Sequence, residues 1–326
     1  MLNIFRHNSL LAAISLIVLA ALFRIQFFLD PQPYELMYSA FLSNILFDFL
    51  KTLNNPHLIG YIAAFVLVVA QALMLNYTVS RHEILYKDTY LPGFMFVLLN
   101  SLYAEQFQLT PQLLSNTFII LLFQRLCYLY ESPKPLLLVF DSGMYLGVGI
   151  MFNYYLILFL PFILISVVVF TSFNLRYIII SLMGILLPMY FVFIFYYMTN
   201  RLSELQALWE SDLYVLSIHP VIHSLEQLAP WLLLLPLAAI GAFHLQQNFF
   251  RNKVKTRRII QSIAIFTLFG TFALITERNN MLYSVGFISI PLSIVTGYYL
   301  ISSKRFWLKE IVIYAVIAMV VYYQLN

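Results

Sequence analysis

Charge is scarce in this chain. Acidic and basic side chains make up 10% of its 326 residues, against about 25% in a typical soluble domain, and that deficit excludes a solvated surface wrapped around an ordinary core. Cysteine is nearly absent as well. Cys127 stands alone, so no internal disulfide can form, and without a CxxC or Cys/His cluster there is no framework for a zinc finger or an iron-sulfur centre. No internal repeat, low-complexity tract or linker divides the chain. A channel-filter motif is missing, and so are the paired Gly/Pro-broken halves that mark many transporters. The start, Met-Leu-Asn-Ile-Phe-Arg6-His7 ahead of an apolar run, carries no small-x-small pattern before Arg24 and reads as an uncleaved signal anchor.

What the chain does contain is hydrocarbon. Hydrophobic residues account for 62% of it, and apolar runs of about twenty recur, each long enough to cross a hydrocarbon core of roughly 30 Å. The runs are apolar on all sides rather than alternating, which excludes a transmembrane β-barrel. The expected fold is therefore all-α: a polytopic membrane bundle of about eleven helices, near residues 9–28, 57–77, 89–104, 111–130, 135–152, 154–172, 177–199, 229–246, 259–276, 281–301 and 310–325.

Charge placement gives that bundle a direction. With the N-terminus inside and the C-terminus outside, the outer side holds only Arg24, Lys51, Arg201 and Arg278, and the other fourteen of the 18 Lys and Arg fall inside, as the positive-inside bias requires. Acids run the other way: Asp30, Glu35, Asp48, Glu105, Glu204, Glu210, Asp212, Glu226 and Glu277 lie outside. The net charge of +4 gives no reason to expect nucleic acid. Two outer segments, about 29–56 and 200–228, exceed what a connector needs. Their amphipathic patterns, Met37/Phe41/Ile45/Phe49 in one and Leu202/Leu205/Trp209/Leu213/Leu216 in the other, suit helices lying in the membrane interface. The acidic segment 200–228 separates a seven-helix part, 1–228, from a four-helix part, 229–326.

Few residues can carry chemistry. Asp30 and Glu35 flank Pro31 and Pro33, which hold the segment extended; a carboxylate there can take a proton from a hydroxyl or bind a metal ion, or simply cap the helix that follows. Glu105 occupies a second outer turn before Thr110-Pro111, a helix start, and reads either as a partner of Asp30 or as a solvated acid. Arg24, Arg201 and Arg278 stand against the topological bias, where a guanidinium can grip a lipid phosphate or only snorkel to the interface. His219 and His223, four apart with Pro220 suited to a first helical turn, can present two imidazoles to a metal or be surface histidines. Asp141 is an acid inside the fifth span, expensive unless paired, while Gly143, Gly147 and Gly149 offer a small-residue surface for close helix packing.

The order of these features, from Leu29-Asp30-Pro-Gln-Pro-Tyr34-Glu35 and its interfacial helix to Glu105 in the second outer loop and a long outer segment after the seventh span, resembles the GT-C superfamily of polytopic glycosyltransferases. The run Gly143-Met-Tyr-Leu-Gly147-Val-Gly149, with Asn153-Tyr-Tyr and Pro161 after it, is similar to a helix pair in such enzymes. The resemblance covers about residues 1–228 and is one of topology more than of sequence. It implies transfer of a sugar from a polyprenyl-phosphate carrier, with the membrane lipid as partner, on the periplasmic face of a bacterial inner membrane. It also implies Asp30 and Glu105 as catalytic acids or ligands of a divalent metal ion, and Arg201 on the carrier phosphate, with Glu35, Arg24 and Arg278 as further substrate contacts. The adjacent Asp-Glu pair of many members is absent, and no soluble C-terminal domain follows. A weaker resemblance links the chain to multi-pass proteins of Bacteroidota, which implies no activity. Two other readings stay open: a non-catalytic subunit docking other envelope membrane proteins, and a transporter of a lipid-linked substrate.

Overall fold

The computed structural model describes residues 2–34, 39–130, 132–203, 229–276, 281–302 and 306–325, and all regular structure among them is helical. In chain order the helices are α1 (Leu2–Phe5), α2 (Leu10–Leu22), α3 (Ile25–Leu29), α4 (Phe41–Lys51), α5 (Pro56–Arg81), α6 (Leu91–Leu99), α7 (Pro111–Leu129), α8 (Pro135–Phe152), α9 (Leu160–Thr171), α10 (Leu175–Met198), α11 (Ala229–Gln247), α12 (Val254–Thr276), α13 (Met281–Ser302) and α14 (Phe306–Leu325). Among the described residues seven stretches are long and apolar enough to cross a membrane: Pro56–Arg81, Pro111–Leu129, Pro135–Phe152, Tyr154–Thr171, Leu175–Met198, Val254–Leu274 and Val285–Ser302. This is an integral membrane protein by that measure. Each of the seven falls on an expected span.

Two expected spans take another form. The stretch near 9–28 is broken at Phe23 and Arg24 into α2 and α3, where Arg24 N–H bonds to Ala21 O and the Arg24 guanidinium takes up the carbonyl of Ala20. The stretch near 89–104 is only the nine-residue α6, about 14 Å long and less than half a bilayer core. It stops where the Asn100 amide bonds back to Phe96 O, and an irregular segment with a 3-10 turn at Ala104–Phe107 leads on to Thr110, which caps α7. Such backbone survives at membrane depth only when protein surrounds it. All nine residues of α6, and most of those from Asn100 to Thr110, are buried.

Helix packing follows residue size. On α8, Gly143 and Gly147 face Ser181, Gly184 and Ile185 of α10 so closely that a methyl on any of the three glycines would strike a carbonyl of the partner helix. The expected small-residue surface is this seam. The opposite face of α10, Ile179, Met183, Leu186, Tyr190, Phe193 and Tyr197, stays exposed along its length, as an apolar stripe left for lipid would be. Among the described spans α13 is the most enclosed, with 83% of Val285–Ser302 buried, and it packs on α6, α7, α11 and α12. Helices from both sides of residue 228 share one apolar core.

Basic side chains gather at one end. Arg6 and Lys309 both reach Leu300 O, Lys253 pairs with Glu83 at 2.6 Å, and Arg258 donates to Phe170 O. At the other end α10 closes in a Schellman turn. Asn200 adopts φ 55, and the Asn200 and Arg201 N–H groups bond to Tyr197 O and Tyr196 O, an arrangement for which Asn is one of the few suitable residues.

Candidate functional site

The end opposite the basic cluster holds Asp30 and Glu105. α3 ends at Asp30, whose exposed carboxylate accepts from Gln32 Nε2 at 2.9 Å. The extended segment 31–34 then runs along the start of α5. Tyr61 donates to Gln32 O, and the Tyr34 ring lies between His57 and Tyr61, its centroid 5.2 and 5.3 Å from theirs. Gly60 is required here, since the Tyr34 hydroxyl occupies the place of a Cβ. Burial, and then the neighbouring Tyr61, push the Tyr34 phenol up to about 12, so it remains a neutral donor. The two prolines thus stiffen a segment that aromatic packing pins in place.

Glu105 is half-buried on the 3-10 turn, which packs on α5 and α13. Two residues later Phe107 meets Phe27 of α3 with centroids 5.0 Å apart, and Phe27 in turn meets Tyr61 at 5.3 Å. The elements carrying Asp30 and Glu105 are therefore neighbours, joined by an aromatic contact. Arg201 lies exposed just past α10, five residues beyond Tyr196, which packs against Phe41 of α4 at 5.4 Å. Glu35, Arg278, His219 and His223 lie outside the described residues. Among the described residues no group of three His, Cys, Asp or Glu could hold a metal ion.

Arg24 sits inside the bundle, not at its lipid-facing rim. It is 1% exposed, donates to Ala20 O, Asn100 O and Ser101 Oγ at 3.3 to 3.4 Å, and lies over the Phe107 ring at 4.8 Å. Among the described residues it has no carboxylate partner. Its counter-charge comes from carbonyls at the C-terminal ends of α2 and α6, the negative poles of both helices, and from the ring face. That answers how a buried cation is tolerated, and it removes Arg24 from direct reach of a lipid headgroup.

Sequence reasoning passed over a second group, the uncharged amides. Asn100 Nδ2 donates to Ser289 Oγ, which donates to Gly286 O. Gly286 faces Asn116 and Gln112, one turn apart on α7. Both amides are buried, 1% and 2% exposed, and none of their nitrogen or oxygen atoms finds a partner among the described residues. Gln71 nearby bonds Leu113 O and Thr117. A polar belt thus runs from Arg24 through Asn100 and Ser289 to α7. The signal was available as amides within apolar runs at an i, i+4 spacing, which marks one helix face. Asp141 resolves simply: it pairs with Arg125 at 3.6 Å, both side chains partly exposed.

Residues 36–326 match the model of DUF6427, a family of unknown function. The chain belongs to that family. The match takes in Glu105, Arg201 and the amide belt of this DUF6427 protein, while Arg24 and Asp30 precede it. No curated protein and no solved structure matches the chain.

Proposed function

We propose that this protein is a glycosyltransferase of the GT-C kind, moving a sugar from a polyprenyl-phosphate carrier to an acceptor hydroxyl at the end of the bundle that carries Asp30 and Glu105, on the extracytoplasmic face of a bacterial inner membrane. The observation that supports it most is the Phe27–Phe107 contact, which sets the two acid-bearing segments side by side. In this reading the Asp30 carboxylate takes the proton of the acceptor hydroxyl as its oxygen bonds to the anomeric carbon. The bond from that carbon to the carrier phosphate breaks, and the phosphate leaves with the electron pair. Arg201, exposed at the same end, holds the phosphate. The donor atoms at Asp30 and Glu105 are oxygens, which suit a divalent ion such as Mg²⁺ held jointly with substrate phosphates.

The test is replacement of the chromosomal copy by Asp30→Asn or Glu105→Gln, with surface glycan and the polyprenyl-linked sugar pool measured by mass spectrometry. The reading expects glycan to fall at least a hundredfold and the lipid-linked sugar to accumulate. Unchanged glycan and pool in Asp30→Asn would sink it. A carrier of lipid-linked substrate is the second reading, favoured by the broken segment 91–110 and the unpartnered amides beside it; there, loss would follow replacement of Asn116 and Gln112 while Asp30→Asn stays active. A non-catalytic envelope subunit would instead copurify with one stoichiometric partner and tolerate both acid replacements.

A further inference from the structure

At the basic end, away from the acids, a cleft of about 420 Å³ opens between the first turns of α8 and α10, lined by Pro133, Lys134, Leu137, Asn174, Arg176 and Tyr177 among others. We propose that this cleft binds a phosphate ester, the headgroup of an anionic lipid in the leaflet around that end. Four features converge on that chemistry. Lys134 and Arg176 both line the cleft, and among the described residues neither has an ion-pair partner; elsewhere at this end Lys253 is neutralised by Glu83 and Arg258 by a carbonyl and the Tyr130 ring. Leu136 contributes a first-turn N–H with no intrahelical acceptor, as does Leu137, so neutral donors supplement the charges. Among the described residues no acid lines the cleft. Leu137, Phe173, Leu175 and Ile179 stand exposed beside it, where the acyl chains of a bound lipid would lie.

The geometry is also held. Pro133 and Pro135 bracket Lys134, and Asn174 Oδ1 accepts from Arg176 N at 2.9 Å, which caps α10 and fixes the backbone that carries Arg176. Beyond the cleft, the glycine seam locks α8 against α10, so the two helices cannot spread or close at will. An ammonium on one wall and a guanidinium on the other give the open slot two cations for one phosphate, the guanidinium able to bond two of its oxygens at once. The site is independent of the acids proposed to carry catalysis.

The experiment uses the full chain in phosphatidylcholine nanodiscs, with phosphatidylglycerol titrated in and retained lipid counted by native mass spectrometry. A charge-assisted hydrogen bond to a bound phosphate contributes at least about tenfold in affinity, so Lys134→Gln with Arg176→Gln is expected to weaken phosphatidylglycerol retention about 100-fold. A matched pair at the same end but outside the cleft, Lys87→Gln with Arg251→Gln, serves as the control and is expected to leave retention within about twofold. Inorganic phosphate at millimolar concentration separates the sources: failure to compete supports the lipid headgroup, and full displacement of phosphatidylglycerol from the wild type assigns the cleft to a free phosphate ester and overturns the lipid assignment. Equal losses in both double variants would reduce the effect to general surface charge and overturn the site altogether, as would wild-type retention in the cleft variant. All four side chains are exposed, and unchanged circular dichroism confirms that each variant is folded.

Discussion

Gly147→Ala puts the α8–α10 seam to a quantitative test. A Cβ on Gly147 would lie 2.5 Å from Ile185 O, 0.9 Å inside the 3.4 Å at which ordinary contact begins. That oxygen belongs to the backbone of α10 and cannot swing aside as a side chain would. Gly143 and Gly184 are tighter still, against Ser181 O and Phe140 O. One added carbon therefore asks an 18-residue and a 24-residue helix to move apart by about 1 Å, loosening contacts along the whole seam. Overpacking of this kind costs roughly 1–3 kcal/mol, and the better helix propensity of Ala returns up to about 1 kcal/mol. With a backbone carbonyl as the obstacle the cost belongs at the upper end of that range, so the net expectation is a loss of about 2 kcal/mol. Gly270→Ala is the control, because its new carbon would meet Ile288 no closer than 3.4 Å and should leave stability equal or slightly raised. Reversible unfolding in mixed micelles, followed by circular dichroism, gives both values. If Gly147→Ala proves as stable as Gly270→Ala, the helices are not in the close contact described, and the steric reasoning fails.

Three further outcomes can be checked in the same assay. His82, 2% exposed against Tyr128, has its pKa lowered to about 4 by burial, then by Lys255 and Arg81. Its unfolded value lies near 6.5, so the unfolded chain binds the extra proton between pH 6.5 and 4; stability should fall by about 2–3 kcal/mol across that window as pH drops, and His82→Phe should flatten the fall. The Arg125–Asp141 pair is partly solvated, so a double-mutant cycle should return about 1 kcal/mol or less; a coupling of several kcal/mol would mean that the pair is far drier than its exposure implies. Asn116→Leu removes a buried amide without a partner, and should raise stability by about 1 kcal/mol or more; a decrease would mean that bound water or a ligand satisfies the amide.

The resulting picture divides the molecule by chemistry. One end is basic and rests its cations on helix termini, and the other carries acids and tyrosines on short irregular segments. Among the described residues the middle is mostly apolar, with the amide belt and Arg24 as its main polar groups. Burying a cation with no carboxylate beside it is tolerable only because two helix ends point their carbonyls at it, which ties the break after α2 to the early stop of α6.

Much of this was legible in the residues alone. Apolar run length dictated membrane helices at seven of the expected places, because about twenty residues of hydrocarbon have no other stable home. Gly143 and Gly147 announced a close seam, since only small residues let backbones approach. What the sequence could not decide was how a polar side chain inside a run is treated, because that depends on which carbonyls the other helices bring to it. Arg24 reads as a surface cation and is interior; Asn100 falls inside an expected span and instead ends the short helix α6. Chain order puts Asp30 and Glu105 in two loops on one side and makes Glu105 a candidate partner of Asp30, and tertiary packing through Phe27 and Phe107 is what makes their segments neighbours. Local hydropathy thus determined which parts of the chain enter the membrane, whereas contacts between residues far apart in sequence decided where helices stop and which polar groups meet.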